Sequence, residues 1–304
     1  MRTDKSRKRF VFLCVAPATI LFFLFMILPT LNVFRMSLYE RGAYSPNETF
    51  VGLKNFQHLL RDAQFIRSMQ NMILLVVTVT LITFAFALVF AAILTREKIK
   101  GQNFFRIIFY IPNILSVVVI SGIFSAIYKP ENGMLNSIIG LFRNMSDPIL
   151  WKGEKLVIPS IILAMVWQAV GYYMVMYLAG LQGVPNELYE AATMDGANGW
   201  QTLFHVTIPC VMPSITICTF LSLTNGFKLF DQNMALNGGQ PFRFLADGNV
   251  IKTTEMLALN IYNTFYQNSN SRGVGQAKAV IFFLLVAALG LIQLNATRKK
   301  EVQQ

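Results

Sequence analysis

Six stretches of this chain are too apolar, and too long, to be ordinary surface or core segments of a water-soluble domain. The first is the plainest: from Phe10 to Phe34 no residue is charged. That exceeds the roughly 20 apolar residues a helix needs to cross a bilayer. Further runs extend over Met72–Leu94, Phe104–Tyr128, Val157–Gly180, Cys210–Ala235 and Ala277–Asn295. Hydrocarbon offers backbone N–H and C=O groups no partners, so such runs must satisfy them internally, as helices. The sequence therefore predicts an all-α polytopic membrane protein with six transmembrane helices. Composition agrees: 54% of the 304 residues are hydrophobic and 13% charged, against about 25% charged in a typical soluble domain.

The net charge of +11 does not point to nucleic acid. Basic residues concentrate at the ends of the apolar runs, as anchors do: Arg2 to Arg9, Arg96 to Lys100 and Arg298 to Lys300. These short, dense segments predict cytoplasmic N- and C-termini by the positive-inside rule. Phe10–Phe34 reads as a retained first helix, bent or started near Pro17 and ending near Pro29; the alternative is a signal peptide, whose apolar core would be about 7–15 residues. Polar loops cover 35–68, 129–156 and 236–275. In the first, Phe56, Leu59 and Leu60 fit a short surface helix. In the second, Leu135, Ile138, Ile139 and Phe142 recur at helical spacing and predict an interfacial amphipathic helix. Cys14, Cys210 and Cys218 have neither metal-site nor redox spacing and read as small buried hydrophobes.

One long polar interruption, Asn186 to Ser214, divides the fourth and fifth runs. Asn186 can cap a helix, Glu187 and Glu190 fall in its first turns where the dipole favours negative charge, and Gly196 can supply the left-handed residue that ends it. A second short helix can follow with Trp200, Leu203 and Phe204 on one face, closed by Pro209. No Lys or Arg occurs between Lys155 and Lys228, so this loop is acidic and suited to a basic partner.

Chemistry that would mark an enzyme is not legible. There is no G-x-x-x-x-G-K-[S/T] phosphate loop, His58 and His205 lack metal-ligand neighbours in sequence, and no paired-carboxylate or nucleophile pattern stands out. No catalytic or metal residue is expected. Polar residues inside the spans are the other signal, since they are costly at membrane depth and usually face a cavity or the bundle interior. Span four carries Trp167, Gln168, Gly171, Tyr172 and Tyr173; span five carries Ser222, Thr224, Asn225, Lys228, Asp231 and Gln232. Aromatic faces and amides suit a sugar. Equally, the tyrosines can be interface anchors, and Lys228 can pair with Asp231 at the rim.

Glu190-Ala191-Ala192, then Gly196, then Val206-Thr207-Ile208-Pro209 resembles the "EAA" loop of ABC-importer permeases, with V-x-I-P where that family has I-x-L-P. Ala179 to Glu190, Asp195 to Ala197, the V-G-L-x-N-F run at 51–56 and F-R-I-I-F-Y-I-P at 105–112 are similar to the carbohydrate branch. The stretch N-G-G-Q-P from Asn237 departs from the family's G-G-P, and Phe242 to Thr253 looks like an insertion. The resemblance implies a type I importer permease fold in a single transmembrane domain over 1–304. Its common core would be 69–295, its coupling loop 181–209, and 10–34 an additional N-terminal helix. It implies ATPase coupling through Glu190, Ala191, Ala192, Asp195, Gly196, Trp200, Ile208 and Pro209, and a substrate path including Tyr172 and Asn225, with Gln168 and Lys228 as weaker matches. The implied partners are a second homologous permease, two cytoplasmic ATPase subunits that hold ATP and magnesium, an extracytoplasmic sugar-binding protein and membrane lipid. No cofactor is expected on this chain and no nucleic acid. The alternative function is a gradient-driven secondary transporter of a polar solute. That would need a titratable relay at mid-membrane, and within the spans the one carboxylate is Asp231, near the end of span five.

Overall fold

A computed structural model describes residues 2–41, 47–96, 100–143, 147–227, 229–246, 248–267 and 272–298. The chain divides into two compact units, 1–62 with 261–285, and 63–260 with 286–304.

The first unit opens with α1 (Arg2–Phe22), a π-helical turn (Phe23–Ile27) and α2 (Leu28–Met36). Together these make one apolar helix from Arg7 to Met36. The expected stop near Pro29 is not there. Proline lacks an N–H and crowds the carbonyl four residues back, which for Pro29 is Phe25, inside the π turn. That wider turn bonds Leu28 N–H to Phe23 O instead and lets the helix pass. Cys14, expected buried, is exposed on α1, unlike Cys218, which is buried. After α2 come a minimal antiparallel pair, β1 (Tyr39–Glu40) and β2 (Thr49–Phe50), and α3 (Lys54–Leu59). Asn55 is buried and donates to Ser37 O at 2.8 Å and Tyr39 O at 3.0 Å, fixing this loop. On α3, Leu59 is buried but Leu60 projects outward.

In the second unit α4 (Ala63–Arg96) is followed by α5 (Gln102–Ile114), α6 (Val117–Ile127), α7 (Met134–Phe142) and α8 (Val157–Gln182). The third expected span is a bent pair: α5 and α6 meet at 99°. Pro112 lies in the last turn of α5, Leu115 and Ser116 are extended, and Ser116 restarts the helix by accepting from Val119 N–H at 3.3 Å. α7 is the expected amphipathic helix, with Ile138, Leu141 and Phe142 exposed. Then come α9 (Asn186–Met194), α10 (Gly199–Thr202), a second π turn (Leu203–Thr207), α11 (Ile208–Cys210), α12 (Met212–Phe227) and α13 (Asp231–Asn237). The fifth expected span, Cys210 to Ala235, is thus not one helix. α12 stops at Phe227 and α13 is separate. Buried Asn233 holds α13: its side-chain amide accepts from Met256 N–H and donates to Thr254 O, both at 3.0 Å. Lys152 adds a tie, donating to Leu236 O at 2.9 Å and Ser125 Oγ at 2.8 Å, with burial pulling its ammonium pKa down.

The polar stretch taken as an insertion is an antiparallel hairpin, β3 (Phe242–Phe244) with β4 (Val250–Lys252), in register Phe244↔Val250. Its inner face buries Ile251 and joins Arg243 to Glu154; its outer face exposes Phe242, Phe244 and Val250. α14 (Leu257–Tyr266) and α15 (Arg272–Arg298) complete the described residues. Among the described residues, four helices are long and apolar enough to cross a membrane, or up to six if each bent pair counts as one span.

The second unit is organised on α8. Buried Ala87 and Ala91 of α4 pack with Met174, Tyr177 and Leu178 of α8, small residues letting the backbones approach. α5 crosses α8 at Gly171, where an added Cβ would overlap Phe109 O. Gly171→Val therefore has to push two helices apart, an overpacking cost of about 1–3 kcal/mol. Gly140→Ala on exposed α7, where a Cβ meets nothing within 4 Å, should be neutral or stabilise by up to ~1 kcal/mol. Thermal unfolding followed by size-exclusion chromatography should lower the melting midpoint for the first variant and not for the second.

Candidate functional site

Two features of the second unit are candidates for function: an exposed polar turn at the C-terminal end of α8, and a cavity beside its middle.

The exposed turn is built from local hydrogen bonds. α9 begins at Asn186 itself; Pro185 occupies the capping position and Asn186 makes no cap bond, correcting the sequence expectation. Its C-terminus is closed as expected. Gly196 has φ +75°, a left-handed conformation that a side chain would strain. Ala197 N–H reaches Ala192 O at 2.9 Å and Gly196 N–H reaches Thr193 O at 3.0 Å, the paired closure of a Schellman motif. Asn198 then caps α10 reciprocally: its side chain accepts from Gln201 N–H at 2.9 Å while Gln201 Oε1 accepts from Asn198 N–H at 2.8 Å. The second π turn precedes Pro209 as the first precedes Pro29, and the helix runs on to Cys210 before bending 74° into α12. The helix thus ends one residue beyond Pro209, which marks the entry to the next segment as expected.

Such tight backbone closure holds a particular face outward. Glu187, Glu190 and Asp195 are exposed, as is Ala191, while Ala192 turns inward. Met194 is 88% exposed and Trp200 70%, with Trp200 stacked on exposed Phe204 at 6.3 Å. Leu203 is half-buried and, together with Trp200, lines a groove against Val89 and Ile93 of α4, and Ile208 and Pro209 are half-buried. The face is thus acidic and apolar at once.

The cavity holds about 380 Å³. Gln168, Ala169 and Tyr172 of α8 form one wall and Ser222, Asn225 and Gly226 of α12 another. Of the expected path residues, Gln168, Tyr172 and Asn225 meet here; Lys228 lies outside the described residues. Trp167 instead packs edge-on against Phe124 at 5.4 Å; Tyr173, buried with its ring edge-on to Phe84 at 5.0 Å, also lines the cavity. Sequence reading missed the third wall, Val76, Thr80 and Thr83 of α4, and the contribution of Asn113; Gln232, named among the polar residues of span five but not assigned to the path, also lines the cavity. The signal was present: Thr80 and Thr83 lie three apart within an apolar span, hence on one helix face. Two hydrogen bonds cross between walls. Thr80 Oγ1 and Ser222 Oγ are 2.7 Å apart, and Gln232 Nε2 donates to Gln168 Oε1 at 3.2 Å. The described polar lining is therefore hydroxyls and amides, able to both donate and accept. Among the described residues no group of three or more His, Cys, Asp or Glu is placed to hold a metal.

This architecture has known counterparts. A starch degradation products permease protein (AmyD, described as probable) of Thermoanaerobacterium thermosulfurigenes is 37% identical over 261 residues, 84% of this chain and 82% of that one. The trehalose/maltose transport system permease protein MalF of Thermococcus litoralis is 29% identical over 297 residues, covering 94% and 93%. In structure, a bacterial ABC transporter involved in import of the acidic polysaccharide alginate superposes with a TM-score of 0.81 at 22% identity, over 98% of this chain and 99% of that one; this gives the type I importer permease fold. Residues 85–301 match the family model described as binding-protein-dependent transport system inner membrane component. The chain belongs to that family of membrane permease components.

Proposed function

We propose that this chain is a transmembrane permease subunit of an ATP-driven sugar importer, forming half of the pathway and receiving motion from a cytoplasmic ATPase through α9 and α10. The observation that carries this reading is the continuity of α8. Tyr172 and Gln168 stand in the cavity wall, and about 15 Å further along the same helix, at 1.5 Å per residue, the chain enters the exposed acidic turn. A displacement of that turn is delivered to the wall by one packed element. Relatives described as starch-product, multiple-sugar and trehalose/maltose permeases support a carbohydrate as cargo. A related fold captured with a periplasmic binding protein supports delivery by such a partner.

In this reading a second permease completes the pathway, two ATPase subunits supply ATP and magnesium chemistry, and this chain performs no catalysis. α9 and α10 lie in the cytoplasm with both termini. Glu190, Ala191, Ala192, Asp195, Gly196 and Trp200 form the docking face; Ile208 and Pro209 set the return into the membrane. Each nucleotide or sugar shifts the inward/outward equilibrium only by its differential affinity for the two states. ATP-dependent uptake of labelled oligosaccharide by the reconstituted complex, insensitive to an uncoupler, tests this reading; uptake abolished by the uncoupler would instead show a gradient-driven carrier.

Three outcomes follow from the geometry. A cysteine at Gln201, exposed on α10, should react with impermeant reagents only from the cytoplasmic side, and labelling of intact cells would refute the orientation. Glu190→Lys should strip ATPase subunits from the purified complex, because like charges at a dock cost several kcal/mol. Gly196→Val should do the same by straining the left-handed turn by about 1–2 kcal/mol; retention of both ATPases by both variants would make the turn a mere connector. Asn225→Ala and Tyr172→Ala should cut uptake several-fold while the complex still assembles, since one hydrogen bond to substrate contributes about 0.5–1.5 kcal/mol net.

A further inference from the structure

Resting on the importer reading above, we propose that the outer face of the β3–β4 hairpin is where the extracytoplasmic binding protein bears on this chain, and that Asn71 and Asn233 are positioning residues that carry this contact to the cavity wall.

The hairpin stands at the end of α8 opposite to the exposed acidic turn. Arg243 of β3 pairs with Glu154, just before α8 starts, whereas α9 follows α8 at its other end. The 26 residues of α8 separate the two by about 39 Å, at 1.5 Å per residue. In the importer reading one end meets the ATPases, so the other faces outward. Side chains alternate across a strand, and the register Phe242↔Lys252, Phe244↔Val250 sets Phe242, Phe244 and Val250 on one face. That face is exposed, Phe244 to 79%, while Ile251 turns inward. Aromatic side chains presented this way anchor protein interfaces. Hydrocarbon does not fit as the occupant. Among the described residues the sheet has two strands, and open sheet edges are not tolerated in a bilayer core. The segment joining the strands also carries Asp247 and Asn249, both costly at membrane depth. Residues 242–253 are the stretch that departs from the family pattern, so the contact belongs to this chain rather than to permeases at large.

The second support is how firmly the base of the hairpin is tied to the cavity walls. Three side-chain amides hold the main chain of 252–256. Gln64 of α4 pairs with Lys252 as a further strand would, accepting from its N–H at 2.6 Å and donating to its carbonyl at 3.2 Å. Asn71, on the same helix, donates to Thr253 O at 2.7 Å and Glu255 O at 3.1 Å. From α13, Asn233 bonds Thr254 O and Met256 N–H. Asn71 is 1% exposed and Asn233 2%, and buried amides that lost these partners would be left unsatisfied at a cost. Both helices run on into the cavity: α4 places Val76 and Thr80 in its wall, and Gln232, the neighbour of Asn233, bonds Gln168 of α8. A displacement of the hairpin is therefore passed to α4 and α13 instead of being lost in a loose loop.

The test uses the complete importer, with its partner permease and ATPases, in proteoliposomes, together with its purified binding protein. With photoreactive p-benzoylphenylalanine in place of Phe244, illumination should join this chain to the binding protein. Adducts with the partner permease or with phospholipid instead would overturn the docking surface. Uptake is then titrated with binding protein, using whichever of a panel of radiolabelled neutral and acidic oligosaccharides the wild type accumulates. Phe244→Asp should raise the half-saturating binding-protein concentration about tenfold or more, as loss of an interface anchor does, while the complex still assembles. Asn233→Ala should keep that concentration within about twofold and cut maximal uptake several-fold, because the contact is made but not delivered. Asn71→Ala, which loosens the same stretch from the α4 side, should act alike and serves where Asn233→Ala does not assemble. Wild-type half-saturation for Phe244→Asp would refute the dock, and wild-type maximal uptake by either asparagine variant would refute the transmission. No binding-protein-dependent uptake of any probe by the wild type would contradict the importer reading itself.

Discussion

Close approach of backbones to α8 is the constraint on which the helical unit depends. In hydrocarbon there is no solvent to drive helices together, so packing distance and interhelical hydrogen bonds hold the assembly. Here Gly171 admits the main chain of α5 at Phe109, Gly180 admits Ser214, and alanines at 87 and 91 admit α4. Those contacts fix where α4, α5 and α12 diverge. A cavity forms beside Gln168 and Tyr172 because the chain around it is broken rather than continuous. α5 and α6 bend apart, and α12 ends before α13 begins. Backbone freed at such breaks must find partners in protein or a wet cavity. Ser116, Asn233 and Lys152 provide them.

The two ends of α8 are treated differently. At its start, a dense polar weave immobilises the loop: Trp151 Nε1 donates to Asn136 Oδ1, Asn136 bonds two carbonyls, and the Tyr128 hydroxyl donates to Ser160 O. At its finish, α9 and α10 are rigid within themselves, through the Gly196 closure and the Asn198–Gln201 box, yet expose acids and large apolar groups. Internal rigidity with an unsatisfied outer face is what a lever needs, since force applied to the face is transmitted rather than absorbed.

Much of this was legible in the sequence, for identifiable reasons. Span existence follows from long apolar runs with few charges, and the exposed turn from Gly196, whose φ +75° only glycine adopts cheaply. The family resemblance found Gln168, Tyr172 and Asn225, and the fold brings them to one cavity. What escaped were features set by tertiary partners. Pro29 reads as a stop, but a π turn carries the helix through it to Met36, whereas at Pro209 the helix ends one residue later. The placement of α13 depends on Asn233 finding the main chain at Thr254 and Met256, which no local pattern reveals. Thr80 and Thr83 drew no notice because threonine in a span ordinarily satisfies itself on its own helix.

The central claim is that nucleotide-driven motion of the exposed turn is delivered along α8 to the cavity. A single cysteine at Ala169, in the cavity wall between Gln168 and Tyr172, reports it most directly. In lipid nanodiscs containing the whole importer, its alkylation rate should change when ATP and vanadate trap the ATPases closed. The same nucleotide should leave it unchanged in a permease pair lacking ATPases. A rate indifferent to nucleotide in the complete importer would contradict the account, because cavity and turn would then move independently.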